Sequence, residues 1–170
     1  MQFDNIFLIG MMGAGKSTVG ELLSQKIKLP LLDIDKEIEK IMDMPISQIF
    51  SDYGEKRFRL IESTFFKECT KLNNYIYATG GGIILDKNNQ SIIRNRGITF
   101  FLDCDIEIIT HRIKDTIDDR PLLPNNFQKE LKILFKNRYS LYKSNSKHTI
   151  NSSSINPSQI VNKIEDYLHA

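Results

Sequence analysis

The sequence predicts an α/β domain of three layers, a parallel sheet with helices on both faces, and three observations predict it. Short apolar runs alternate with segments of helical period, the first run leads through glycines straight into the first helix, and 170 residues at 41% hydrophobic and 26% charged suit one soluble core. A single domain over residues 1–170 is expected.

The first strand is the run Ile6 to Ile9, which ends at Gly10; GMMGAGKST follows, and the apolar spacing of VGELLSQKI is that of a helix. Leu29 to Ile34, within LPLLDID, is the second strand, and KEIEKIM continues it as a helix with Asp35 near its start. Both Asp33 and Asp35 then lie at a strand's carboxyl end. From Pro45 to Leu72 the pattern is helical apart from a break at Tyr53-Gly54. YIYATGGG is a third strand that runs into a triple-glycine turn. A helix over about 87–96, the strand ITFFLD and a helix near 105–113 complete the alternation. KDTIDDRPLLPNN is polar, charged and proline-containing, which fits a mobile lid over about 112–126. The chain closes with a helix over 127–142, the short strand HTIN, the loop SSSINP and an amphipathic helix over 158–168.

Several function classes are disfavoured at once. A net charge of +2 is too small for a surface that grips nucleic acid by its phosphates. Cys69 and Cys104 stand far apart with no C-x-x-C spacing, so buried thiols are expected and not a metal site or a disulfide framework. The opening MQFDNIFLIGMMG has no basic stretch, and its apolar run is too short for a membrane span, so a cytoplasmic protein without a membrane partner is expected. His111, His148 and His169 have no catalytic context and read as structural or exposed.

The chemistry starts at the loop. Gly10 to Ser17 fits G-x-x-x-x-G-K-[ST] without a mismatch, between a predicted strand and a predicted helix. Gly13, Ala14 and Gly15 would fold backbone N–H groups around phosphates, Thr18 extends the helix start, Lys16 would reach the β- and γ-phosphates, and Ser17 would offer a hydroxyl to Mg²⁺. ATP and Mg²⁺ are the implied co-substrate and cofactor. A guanine-specific switch would carry N-K-x-D; the nearest match, Asn162 to Glu165, ends in Glu inside the last predicted helix. Asp33 and Asp35, two residues apart at a strand end, should point the same way, one holding the metal through water and the other taking the hydrogen of an attacking hydroxyl. Helix N-capping is the other reading of Asp35. Glu55, Arg59 and Glu62 share a helix face, so two carboxylates could brace the guanidinium for an anionic ligand, or form a solvated ladder. Gly80, Gly81 and Gly82 permit close backbone approach to a ligand. Arg120 in the lid could fold over the γ-phosphate.

Taken together, GMMGAGKST, Asp33-Ile34-Asp35, GEKRFRLIE, GGG, RPLL and Arg138-Tyr139-Ser140-Leu141-Tyr142 resemble the shikimate kinase family, in its order and over nearly the whole chain. The resemblance implies a nucleoside-monophosphate-kinase-like fold with a five-stranded parallel sheet, a substrate-binding helical section at about 35–62, and a lid. It implies ATP-dependent phosphorylation of the 3-hydroxyl of shikimate; a monomer is expected. It gives Lys16, Asp35 and Arg120 catalytic roles, and makes Ser17 and, through water, Asp33 the metal partners. Arg59 and Arg138 become the clamp on the ring carboxylate, and the Gly81 backbone completes the pocket. Arg112 and Pro157 become candidates for the adenine side. Another small-molecule kinase, acting on gluconate or AMP, and an ATP-binding module without turnover are the alternatives; the D-x-D, GEKRFR and GGG segments speak against the first, and intact Asp35 and Arg59 against the second.

Overall fold

A computed structural model of the chain describes residues 5–115 and 126–169. Asn5–Ile9 form β1, Lys16–Ile27 α1, Leu31–Asp33 β2, Ile34–Met42 α2 and Ile46–Cys69 α3. They are followed by β3 (Ile76–Ala78), α4 (Lys87–Asn95), β4 (Gly97–Asp103), α5 (Ile106–Asp115), α6 (Phe127–Asn145), β5 (His148–Asn151) and α7 (Pro157–His169).

The five strands form one parallel sheet in the order β2-β3-β1-β4-β5. β1 is central and runs as an unbroken apolar stretch, because a parallel strand under helices is buried on both faces; Ile6, Phe7, Leu8 and Ile9 have no exposure. Complete burial of side chains this size stabilises by about 1.5–3 kcal/mol each. Phe7 stacks on Tyr77 of β3, with ring centroids 5.2 Å apart, and meets Phe66 of α3 edge-on at 5.8 Å. Helices α1 and α7 pack together, α4 and α6 both cover β4, and α3 lies against α2 and α4.

Local chemistry fixes several boundaries. Asp33 caps α2, its carboxylate accepting from the Lys36 N–H at 3.3 Å, so the helix starts at Ile34. Asp35 is therefore inside the first helical turn and not on a strand end, which corrects the expectation that the two aspartates alternate along an extended chain; Asp35 is not the cap either. Gly54 (φ 76°, ψ 164°) interrupts α3 where the sequence placed a break, a conformation glycine adopts without steric cost. At the start of α7, Asn156 Oδ1 accepts from the Gln159 N–H at 3.0 Å while Gln159 Oε1 accepts from the Asn156 N–H at 2.9 Å, a reciprocal capping box. The last turn of α5 takes in Arg112 to Asp115, so the first residues assigned to the lid are helical. The remainder of that segment, with RPLL and Arg120, lies outside the described residues.

Candidate active site

Strand order delivers the candidate residues to one edge. All strands run parallel, so their carboxyl ends share a rim: β1 ends in the glycine-rich loop, β2 at Asp33, β3 in the glycine turn and β4 at Asp103 and Cys104.

On the phosphate side, Gly15 is the N-cap of α1 in a left-handed conformation (φ 93°), so the helix axis points its amino end into the loop. Lys16 is buried, and its Nζ donates to the carbonyls of Gly10 (2.9 Å) and Met11 (2.7 Å). Burial pulls its pKa down to about 8, with Asp35 and Asp33 opposing the shift. Ser17 donates its hydroxyl to Asp33 Oδ2 at 2.6 Å. The Ala14 N–H closes the loop onto the Met11 carbonyl at 3.2 Å, while Gly13 and Thr18 are exposed. Arg112 donates to the Gly13 carbonyl at 3.1 Å and lies 3.7 Å from Cys104 Sγ, which ties α5 to the loop. Pro157 is exposed at the start of α7; the loop before it is held to the end of β4 by Ser152, bonded to Asp103, and by Ser153, which accepts from the Asp105 N–H at 2.9 Å.

On the other side, α2 brings Asp35 and α3 brings Arg59 and Glu62 against the turn after β3. Burial raises the Asp35 carboxyl above its ordinary pKa, as does the Asp33 charge, while Lys16 and Arg59 pull it down. Arg59 Nη1 donates to Glu62 at 2.7 Å, and Nη2 reaches Glu55 at 3.4 Å, which is the bracing expected of their helical spacing. The rings of Phe50 and Phe58 bound its guanidinium at 5.9 and 5.1 Å.

The glycine turn explains why these side chains fit. A Cβ at Gly80 would stand 2.6 Å from Asp35 Oδ1 and 2.7 Å from Glu62 Oε1, and one at Gly82 would stand 2.1 Å from Arg59 Cζ. A Cβ at Gly81 would approach the Met12 nitrogen of the phosphate loop at 3.2 Å. The close approach anticipated for a ligand at Gly80 and Gly82 is thus taken up first by the chain's own acidic and basic side chains.

Two features were hidden from sequence reasoning. Glu62 reads as a surface carboxylate on a helix face, yet it is 1% exposed, and its Oε1 has no hydrogen-bond partner. Burial raises its pKa against the opposing charges of Arg59 on α3 and Arg138 on α6. Tyr142, one turn beyond the buried Arg138, has no exposure and donates its hydroxyl to the Gly81 carbonyl. Its partner is 61 residues away, and no local signal could have found the pair.

The arrangement sets a glycine-rich loop with a lysine and a hydroxyl–carboxylate pair next to a carboxyl group of raised pKa and a braced arginine, groups able to hold a polyphosphate beside an anionic ligand. Comparisons with known proteins point to one family. The family model described as Shikimate kinase matches residues 12–169. Shikimate kinase of Persephonella marina is 39% identical over 160 residues, covering 94% of this chain and 96% of its own; that of Caldicellulosiruptor bescii is 37% identical over 160 residues, covering 94% and 92%. The solved structure of shikimate kinase from Acinetobacter baumannii in complex with shikimate superimposes with a TM-score of 0.92 at 34% identity, over 98% of this chain and 93% of that one. A deoxyadenosine kinase from M. mycoides with bound dCTP, 16% identical at a TM-score of 0.66 over 97% of this chain and 98% of that one, shares the fold.

Proposed function

The chain belongs to the shikimate kinase family, and from that premise we propose how its residues move the γ-phosphate of ATP to the 3-hydroxyl of shikimate, giving shikimate 3-phosphate and ADP on the route to the aromatic amino acids. The observation that carries the reading is the meeting at one sheet edge of the Lys16 loop with Asp35 and the braced Arg59.

Lys16 gives up the Gly10 and Met11 carbonyls for phosphate oxygens, and the backbone N–H groups of Gly13 to Thr18 take the others. Ser17 would hold Mg²⁺ by its hydroxyl and Asp33, 2.6 Å from that hydroxyl, would hold it through water, hard oxygen donors that suit the ion. When bound, the ion neutralises charge on the phosphates. Asp35 orients the acceptor hydroxyl and takes its proton; its pKa, raised by burial, makes it a better base than a solvated carboxylate. Arg59 and Arg138 bind the ring carboxylate, with the Gly80 to Gly82 turn as the pocket floor. Arg112 lines the adenine side with Pro157, and Arg120 covers the transferred group. A cytoplasmic monomer is proposed; no helix among the described residues is long and apolar enough to cross a membrane.

The test is ADP release from MgATP by the purified chain, offered shikimate, gluconate, AMP or no acceptor. Release that requires shikimate is expected. Release with another acceptor or with none removes the assigned acceptor pocket.

A further inference from the structure

Tyr142 stands where the two halves of the rim meet. Its ring is stacked on Phe101 of β4 with centroids 5.2 Å apart and has no exposure. Its hydroxyl donates to the Gly81 carbonyl and lies 3.5 Å from Met11 Sδ at the start of the phosphate loop, and Arg138 stands one turn earlier on α6. A buried phenol needs partners for its hydroxyl, but one would suffice. Here that partner is a peptide carbonyl of the glycine turn, so one bond joins α6 to the turn after β3.

We propose that Tyr142 is a positioning residue for the acceptor: its bond to the Gly81 carbonyl fixes the glycine turn relative to α6, the helix that carries the carboxylate-binding Arg138 one turn earlier. A carbonyl can only accept, so the bond stands only while the phenol keeps its hydrogen. Burial pushes the phenol up to about 12, so it keeps its proton across the working range of pH. The glycine turn has little slack for a second arrangement, since Asp35 and Glu62 fill the space beside Gly80 and Arg59 that beside Gly82. A shift of the Gly81 peptide would move the acceptor floor against all three.

This inference rests on the shikimate reading, and the experiment separates the two. Wild-type turnover with shikimate tests the reading. Tyr142→Phe keeps the stacked ring and deletes the bond to Gly81; the shikimate KM should rise about tenfold, as for the loss of a buried hydrogen bond, with the ATP KM unchanged. Phe101→Leu removes the stacking partner and spares the hydroxyl, so it should lower Tm and leave the ratio of the two KM values as in wild type. Equal KM ratios in Y142F and wild type overturn the proposal, as does a ratio in F101L that moves as far as in Y142F, which would mark a packing effect. Should Y142F not fold cooperatively, the wild-type hydroxyl proton is followed by NMR: it should shift with shikimate and not with ADP. A resonance that responds to neither, or that exchanges too fast to appear, overturns the proposal.

Discussion

Substituting Gly82 by alanine probes the arginine clamp without touching the arginine. The backbone there (φ −95°, ψ −6°) is open to any residue, so alanine brings no backbone strain. Its methyl would stand 2.1 to 2.3 Å from three guanidinium atoms of Arg59, the far end of a flexible side chain that is 25% exposed and can swing out. Arg59 then leaves Glu62, and a charged hydrogen bond worth about 1.5–3 kcal/mol is lost to the bound carboxylate. At 1.4 kcal/mol per decade, that is a rise of about 10- to 150-fold in the shikimate KM. The fold should survive. Replacing glycine gains about 0.4–1 kcal/mol through the unfolded chain, against about 1–3 kcal/mol for the disturbed Glu62 pair. With about 2–4 °C per kcal/mol at this size, Tm falls by less than about 10 °C. A coupled assay of ADP release, with each substrate titrated at saturating levels of the other, reads the outcome, and the ATP KM should not move. A shikimate KM within twofold of wild type, in a folded G82A protein, would refute the placement of Arg59 as the clamp.

The remaining expectations concern charge. Asp35→Asn should lower kcat by about 10²-fold on the scale of general base effects. The same variant should melt higher than wild type at pH 8. A carboxyl with its native pKa raised binds more protons folded than unfolded, so its ionisation costs stability as pH rises through that interval, and asparagine escapes the cost. Thermal scans from pH 4 to 8 should show the advantage growing with pH; an advantage that is constant or reversed contradicts the assignment. Lys16, pulled down to about 8, predicts that MgATP binding takes up a proton above pH 8, because the polyphosphate favours the ammonium form that the empty site has begun to lose. Calorimetry in buffers of different ionisation enthalpy measures the uptake, and none between pH 8 and 9 would mean that Lys16 is already fully charged.

How much of this was legible in the sequence depended on distance along the chain. The phosphate loop, its flanking strand and helix, and the Glu55-Arg59-Glu62 face are local patterns, and each appears where its spacing placed it. The start of α2 was not legible, because LLDIDKE offers two aspartates able to cap; only the bond from Lys36 selects Asp33. The reason for three glycines was half legible. Close approach was readable from composition, whereas the identity of what approaches, Asp35, Glu62 and Arg59 from two helices, depends on how those helices pack. The burial of Glu62 and the contact of Tyr142 with Gly81 are tertiary facts with no local signature.

The order β2-β3-β1-β4-β5 anchors the two halves of the rim unequally. The phosphate loop hangs from β1, paired along its length by β3 and β4, so it can be released only by opening the centre of the sheet. Asp33 ends β2, a three-residue strand at the sheet's edge with a single neighbour, and the helix that carries Asp35 follows it. Edge elements of this kind open locally at a fraction of the global free energy. Brief excursions of this edge would take away the Asp35 carboxyl and the Asp33 metal partner together while the Lys16 loop stays folded, so partial unfolding should fall first on turnover and only later on the phosphate loop.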